Sequence, residues 1–156
     1  MMKKEKIYLD TSVPSAYYDD RIPYQRDLTR RFWEEELGKY QVYASDITLL
    51  ELSNTREENK RRKLLELMAD IQIVSADKKV IDLAEKYVNA GIIPRKYFED
   101  ALHLSFVVIY KIDYLVTFNC KHLVGVHKRK MIREYHEKKK LRQIEIATPE
   151  EFLEEE

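Results

Sequence analysis

Three carboxylates stand inside apolar runs: Asp10 in Ile7-Tyr-Leu-Asp-Thr-Ser12, Glu51 in Ile47-Thr-Leu-Leu-Glu-Leu52, and Asp100 in Phe98-Glu-Asp-Ala-Leu-His-Leu104. Acidic side chains are rarely buried unless they are paired or hold a metal. Apolar flanks set the backbone around each acid against a core and direct the side chains toward a shared pocket. Three acids in one pocket repel one another unless a divalent cation lies between them. The chemistry this points to is a Mg²⁺ site, with Mn²⁺ as a substitute, because hard cations take oxygen ligands and Mg²⁺ uses only a few carboxylates. Paired His ligands, as a zinc hydrolase needs, are absent. Each acid also has an ordinary reading. Asp10 can cap the helix that follows it, Glu51 can face solvent, and Asp100 can favour a helix dipole from the first turn.

The elements that must position these residues alternate between strands and helices. Lys6–Leu9 reads as a strand ending at Asp10, with Ser12 as the N-cap of a helix that tolerates Pro14 in its first turn. Gln25–Lys39 has helical period, Gln41–Ser45 is a second strand, and Ser45 or Asp46 caps the helix carrying Glu51. Glu57–Ala69 is a charged helix and Ile71–Val74 a third strand. Asp77 caps a helix that runs to about Ala90, where Gly91 stops it. Lys96–Tyr110 is helical, Tyr114–Thr117 is a fourth strand, and Lys128–Lys140 is a basic helix. Ile144–Ala147 is a fifth strand, and Thr148-Pro-Glu-Glu151 opens a short last helix. This alternation predicts an α/β fold with a largely parallel sheet, in which ligands gather beyond the carboxyl ends of the strands. Asp10 and Thr117-Phe-Asn119 fall at two such ends, and Glu51 and Asp100 lie on helices able to enter the same crevice.

At 156 residues the chain suits one domain, 1–156. Its 28 Lys plus Arg balance 28 Asp plus Glu, so net charge selects no partner. The distribution is uneven: residues 127–142 hold eight Lys or Arg against two Glu, and residues 150–156 hold five Glu. Such blocks are most often solvated faces and sometimes nucleic-acid contacts. One cysteine, Cys120, excludes an internal disulfide and reads as a packing residue. No segment has the apolar length of a membrane span, and the N-terminus runs straight into a strand, so a cytoplasmic location is expected.

The order Leu9-Asp-Thr-Ser12, Leu49-Leu-Glu-Leu52, Glu99-Asp-Ala-Leu-His-Leu104, Leu115-Val-Thr-Phe-Asn-Cys-Lys-His-Leu123 and Ala147-Thr-Pro-Glu-Glu-Phe152 resembles the PIN-domain family. The likeness is greatest to the VapC-type toxins of prokaryotic toxin–antitoxin pairs, and it spans nearly the whole chain. It implies an α/β/α sandwich and a metal-dependent ribonuclease acting on single-stranded RNA. Asp10, Glu51 and Asp100 take the metal-ligand positions, and Asn119 takes the fourth. A cognate antitoxin and a homodimer are further expectations of the resemblance. Two departures stand out. Asn119 replaces the commoner Asp, and Val124-Gly-Val-His127 replaces the small-residue and Asn pattern that often follows the His-Leu pair.

Other residues are open to more than one reading. His103, three positions after Asp100, either touches phosphate or makes a core hydrogen bond. Lys121 and His122 either contact RNA or face solvent, and Glu99 is either an extra acid or a surface residue. Tyr17, Tyr18 and Tyr24 flank the expected site. The competing function is a PIN-like module that binds RNA or protein without cleaving, which Asn119 permits. A phosphotransfer enzyme using Asp10 as nucleophile ranks third, because position 12 is Ser and no Gly-rich phosphate loop is present.

Overall fold

The computed structural model describes residues 3–154. The first two methionines and the last two glutamates of the acidic C-terminal block lie outside the described residues. Five strands form one sheet: β1 (Lys6–Leu9), β2 (Gln41–Ser45), β3 (Gln72–Val74), β4 (Tyr114–Val116) and β5 (Glu145–Ala147). All four pairings are parallel and the order is β3-β2-β1-β4-β5. The expected largely parallel α/β sheet is therefore all-parallel among the described residues.

The helices are α1 (Ser12–Tyr17), α2 (Pro23–Glu35), α3 (Asp46–Ser53), α4 (Glu58–Leu67), α5 (Lys78–Asn89), α6 (Phe98–Ile109), α7 (Val126–Lys139) and α8 (Pro149–Phe152). Strand β1 explains the layering. Its successive side chains point to opposite faces, and both faces are covered, so Ile7, Tyr8 and Leu9 are all fully buried. Ile7 and Leu9 pack with Val13, Phe32, Leu52 and Leu64 from α1–α4. Tyr8 packs on the other side with Val80, Tyr87, Leu104 and Ile132 from α5–α7. The result is an α/β/α sandwich.

Element ends follow the local chemistry. Ser45 caps α3 by accepting from Thr48 N, and Asp77 caps α5 by accepting from Val80 N. Gly91 takes φ +77° just beyond α5, a conformation that other residues rarely adopt. Thr148 and Glu151 form the expected capping box on α8. The structure corrects the expectation for Ser12. Thr11 occupies the cap position of α1 without a side-chain cap bond, and the Ser12 hydroxyl is engaged elsewhere. Two features have no counterpart in the sequence reading: a 3₁₀ turn at Arg95–Tyr97 ahead of α6, and a π-helical turn at Cys120–Val124.

Candidate active site

The sheet order reverses direction between β1 and β4, and such a switch point opens a crevice at the carboxyl edge. Asp10 stands in it. Its amide donates to Val116 O at 3.2 Å, fixing the residue at the seam of the two central strands. The side chain is 3% exposed and carries a charge that needs partners. Ser12 Oγ and Thr117 Oγ1 both donate to it, and Ser12 N donates at 3.1 Å. These hydroxyls are themselves fixed: Ser12 Oγ accepts from Phe118 N, and Thr117 Oγ1 accepts from Asn119 N, each at 2.9 Å. Burial raises the Asp10 pKa above the ordinary carboxylate range. The positive charge of His103 and the two hydroxyls oppose the rise, and the charge of Asp100 adds to it.

Glu51 projects from α3, where Oε1 accepts from Thr11 Oγ1 at 2.9 Å and meets His103 Nε2 at 3.0 Å. On the far side of the imidazole, His103 Nδ1 lies 2.7 Å from the Tyr8 hydroxyl, which donates to Ser45 Oγ at 2.8 Å. With the tyrosine proton on Ser45, His103 donates from both ring nitrogens, as the imidazolium does. Burial works to lower the His103 pKa, but the Glu51 hydrogen bond and the charges of Asp10, Glu51 and Asp100 outweigh it, and the net shift is upward. Burial likewise works to raise Glu51, but the His103 hydrogen bond and charge, with Thr11, hold its carboxyl below the usual value.

Asp100 lies in the first turn of α6, where its Oδ2 meets His122 Nδ1 at 2.9 Å. His122 belongs to the π turn and is only 7% exposed, its ring packed on Tyr97 with centroids 4.1 Å apart. Asn119 Oδ1 caps that turn by accepting from His122 N at 3.1 Å. Gly125 closes it, donating to Cys120 O at 3.0 Å. A Cβ at position 125 would stand 2.6 Å from that same oxygen, so only glycine permits the approach.

The structure thus brings Asp10, Glu51 and Asp100 into one electrostatic neighbourhood, with His103 subject to the charge of all three. Asn119 adjoins it as the cap of the turn that positions His122. The donor set fits a hard cation in chemistry, being carboxylate and amide oxygen, with the Asp10 carboxylate almost fully withdrawn from solvent. Among the described residues, however, no three His, Cys, Asp or Glu side chains already stand close enough together to hold an ion. Glu51 and Asp100 each face a histidine instead.

The remaining candidates separate. His103 makes the core hydrogen bonds, and His122 is buried against Asp100 rather than solvated. Lys121 and Glu99 are exposed. Cys120 is exposed rather than packed, because the π turn directs its side chain outward. Tyr17 packs edgewise on Tyr18 and Trp33, while Tyr24 is 66% exposed. The resemblance sets Thr11 or Ser12 beside the first acid and Thr117 beside the fourth position; the structure turns Ser12 and Thr117 together onto Asp10, and Thr11 onto Glu51.

No curated protein matches the chain in sequence. Among solved structures it is similar to a toxin–antitoxin complex from Klebsiella pneumoniae, with TM-score 0.60, 14% identity, and coverage of 78% of this chain and 93% of that one. Mycobacterium tuberculosis VapC20, described as a sarcin-ricin loop cleaving toxin, gives TM-score 0.58 and 16% identity over 74% of this chain and 92% of that one. VapBC-1 from nontypeable Haemophilus influenzae gives TM-score 0.60 and 14% identity over 92% and 98%. At these identities the likeness is one of fold. The model of the PIN domain family matches residues 7–122, from the first buried strand to the histidine that faces Asp100. That stretch contains every acid of the switch-point crevice and most of the chain: the protein belongs to the PIN domain family.

Proposed function

We propose that the protein is an endoribonuclease that requires Mg²⁺ or Mn²⁺ and hydrolyses phosphodiesters of single-stranded RNA, acting as the toxin of a VapC-type toxin–antitoxin pair. The observation that carries this reading is the buried Asp10 held by two hydroxyls at the sheet switch point, with Glu51 and Asp100 each held by a buried histidine on or beside α6. Family membership and the fold likeness to toxin–antitoxin proteins support it. An antitoxin that covers the crevice, a homodimer and a cytoplasmic location belong to the same proposal. Among the described residues, no helix is long and apolar enough to cross a membrane.

Asp10, Asp100 and Glu51 would hold the cation, with the Asn119 amide oxygen beside them. A bound divalent ion supplies charge to the scissile phosphate and acidifies a water for in-line attack. The chain's own part is orientation. Ser12 and Thr117 fix the carboxylate of Asp10, Thr11 and His103 fix Glu51, and His122 fixes Asp100. Side chains held in this way need little reorganisation when substrate arrives. In α7, Lys128 and Arg129 reach backbone carbonyls of Ile92 and Ile146, while Lys138, Lys139 and Lys140 stay exposed as candidate phosphate contacts.

The test is incubation with mixed cellular RNA in Mg²⁺, in Mn²⁺ and with chelator, comparing the wild type with Asp10→Ala and Asp100→Asn. Cleavage by the wild type alone, abolished by chelator, is the expected result. An unchanged rate for folded Asp100→Asn sinks the assignment. One observation favours a binding-only module as the second reading: both helix-borne acids are committed to histidines and Asn119 Oδ1 to a cap. That reading predicts no Mn²⁺-dependent cleavage at any concentration.

A further inference from the structure

The bonds around His103 close a loop through four elements. Tyr8 on β1 donates to Ser45 at the end of β2, and Ser45 caps α3 through Thr48 N at 3.3 Å. Helix α3 carries Glu51, Glu51 meets His103 on α6, and His103 returns to Tyr8. The inner part of the loop is dry, since Tyr8 and Ser45 have no exposed surface and His103 has 2%, while Glu51 is half-buried where it faces the site. Buried polar groups are costly unless every member is satisfied, and a satisfied network fixes its members in one arrangement. Asp100 lies one helical turn before His103 on the same rigid helix, so whatever fixes α3 against α6 also fixes Glu51 relative to Asp100.

From this circuit we infer that His103 is a positioning residue, which sets the spacing between Glu51 and Asp100 and thereby the divalent-ion affinity of the crevice. The inference rests on the metal reading given above. His103 touches neither substrate nor ion in this scheme. It acts through Glu51 by donating from Nε2, while Tyr8 and Ser45 hold the imidazole from behind. A side chain that only filled a buried polar site would serve equally well with either nitrogen satisfied. The positioning role requires the Nε2 side in particular.

That difference supplies the test. In His103→Gln the amide nitrogen reaches the place of Nε2 and can still donate to Glu51. In His103→Asn it reaches the place of Nδ1 and keeps only the Tyr8 contact. Mn²⁺ is titrated into the metal-free protein by calorimetry, with thermal unfolding measured alongside and RNA cleavage afterwards. His103→Asn is expected to weaken Mn²⁺ binding roughly 10–100-fold, the usual cost of losing a group that orients a ligand, and His103→Gln, which keeps the Glu51 contact and loses only the Tyr8 contact, to weaken it no more than the several-fold expected of Tyr8→Phe. Cleavage should fall through kcat, with KM for RNA unchanged. In a Glu51→Gln background, adding His103→Asn should change nothing further, because its route to the ion is already cut.

Equal Mn²⁺ affinities for the Gln and Asn variants overturn the inference, as does a His103→Asn effect that persists in full without Glu51. If His103→Asn does not fold, Tyr8→Phe keeps the ring packing and removes only the hydroxyl behind the imidazole. Several-fold weaker Mn²⁺ binding by Tyr8→Phe supports the circuit, and unchanged binding overturns it. Absence of Mn²⁺ binding by the wild type overturns the metal reading itself and this inference with it, a result distinct from a wild type that binds and variants that do not differ.

Discussion

His136 makes stability depend on pH in a way that can be isolated. It lies in α7 with no exposed surface, and its Nε2 meets the Tyr87 hydroxyl at 2.6 Å. Its Nδ1 is buried without a well-formed hydrogen bond, so protonation would place a second N–H and a charge inside the protein with only the Arg142 backbone to offset them. Burial pushes the pKa down to about 4 from the ordinary 6.5, with the Arg142 backbone opposing only weakly. The sign follows directly. Between these values the unfolded chain binds a proton that the folded chain refuses, so His136 contributes stability above pH 6.5 that is lost as pH falls toward 4. At about 1.4 kcal/mol per pKa unit, the loss comes to about 2 kcal/mol between pH 7 and pH 5 and about 3 kcal/mol by pH 4. Buried carboxylates also titrate there, so the assay is a difference: urea unfolding at pH 7, 6 and 5 for the wild type and His136→Gln. The variant should be less stable at pH 7, and its stability should fall by about 2 kcal/mol less on going to pH 5. Parallel curves for the two proteins, or a His136 proton resonance titrating at or above 6.5, would refute the argument.

Three other perturbations address the crevice and its surroundings. Gly125→Ala drives a Cβ into Cys120 O and must open the π turn that seats His122; destabilisation of roughly 1–3 kcal/mol is expected, together with a loss of cleavage larger than that of an exposed control such as Lys121→Ala. Thr117→Val removes one hydroxyl from Asp10 and strands Asn119 N, costing about 1–3 kcal/mol by denaturant unfolding at pH 7; no change in midpoint would show the cradle to be idle. Replacing Lys138, Lys139 and Lys140 by Gln should make the salt dependence of RNA binding shallower by up to about 2 in log–log slope, and coincident slopes remove the C-terminal end of α7 from the RNA surface.

The strands were legible because β-branched and aromatic runs flanked by caps leave few alternatives, and β1 and β2 match their expected bounds. The acids were legible for a related reason: a charge between Leu9 and Val13, or between Leu50 and Leu52, violates the local pattern and asks for an explanation. Their partners were not legible. His103 and His122 look alike in the chain, each a lone histidine next to a leucine, and only the packing of α6 and the π turn decides that one meets Glu51 and the other Asp100. The π turn is hidden as well, since a single five-residue loop closed by i to i+5 bonds has no repeat to detect. Its one trace is Gly125, whose need is steric and visible only once Cys120 O is in place. Ser12 departs from the usual role of a hydroxyl at a helix start, because the Asp10 carboxylate and Phe118 N compete with the helix for it and win.

The cradle of Asp10 also dictates when the crevice can exist. Thr117 joins Asp10 across 107 residues, and Phe118 joins Ser12 across 106. Contacts of such sequence separation form late, because the intervening chain must first be ordered. During synthesis, β1 can pair with β2 and bury Ile7 long before β4 leaves the ribosome. Asp10 then waits at a bare sheet edge, without the hydroxyl of Thr117 and without Asp100 nearby. The central β1–β4 pairing is thus a timer: Asp10 gains its full set of partners only after the residues through β4 and Phe118 have been made.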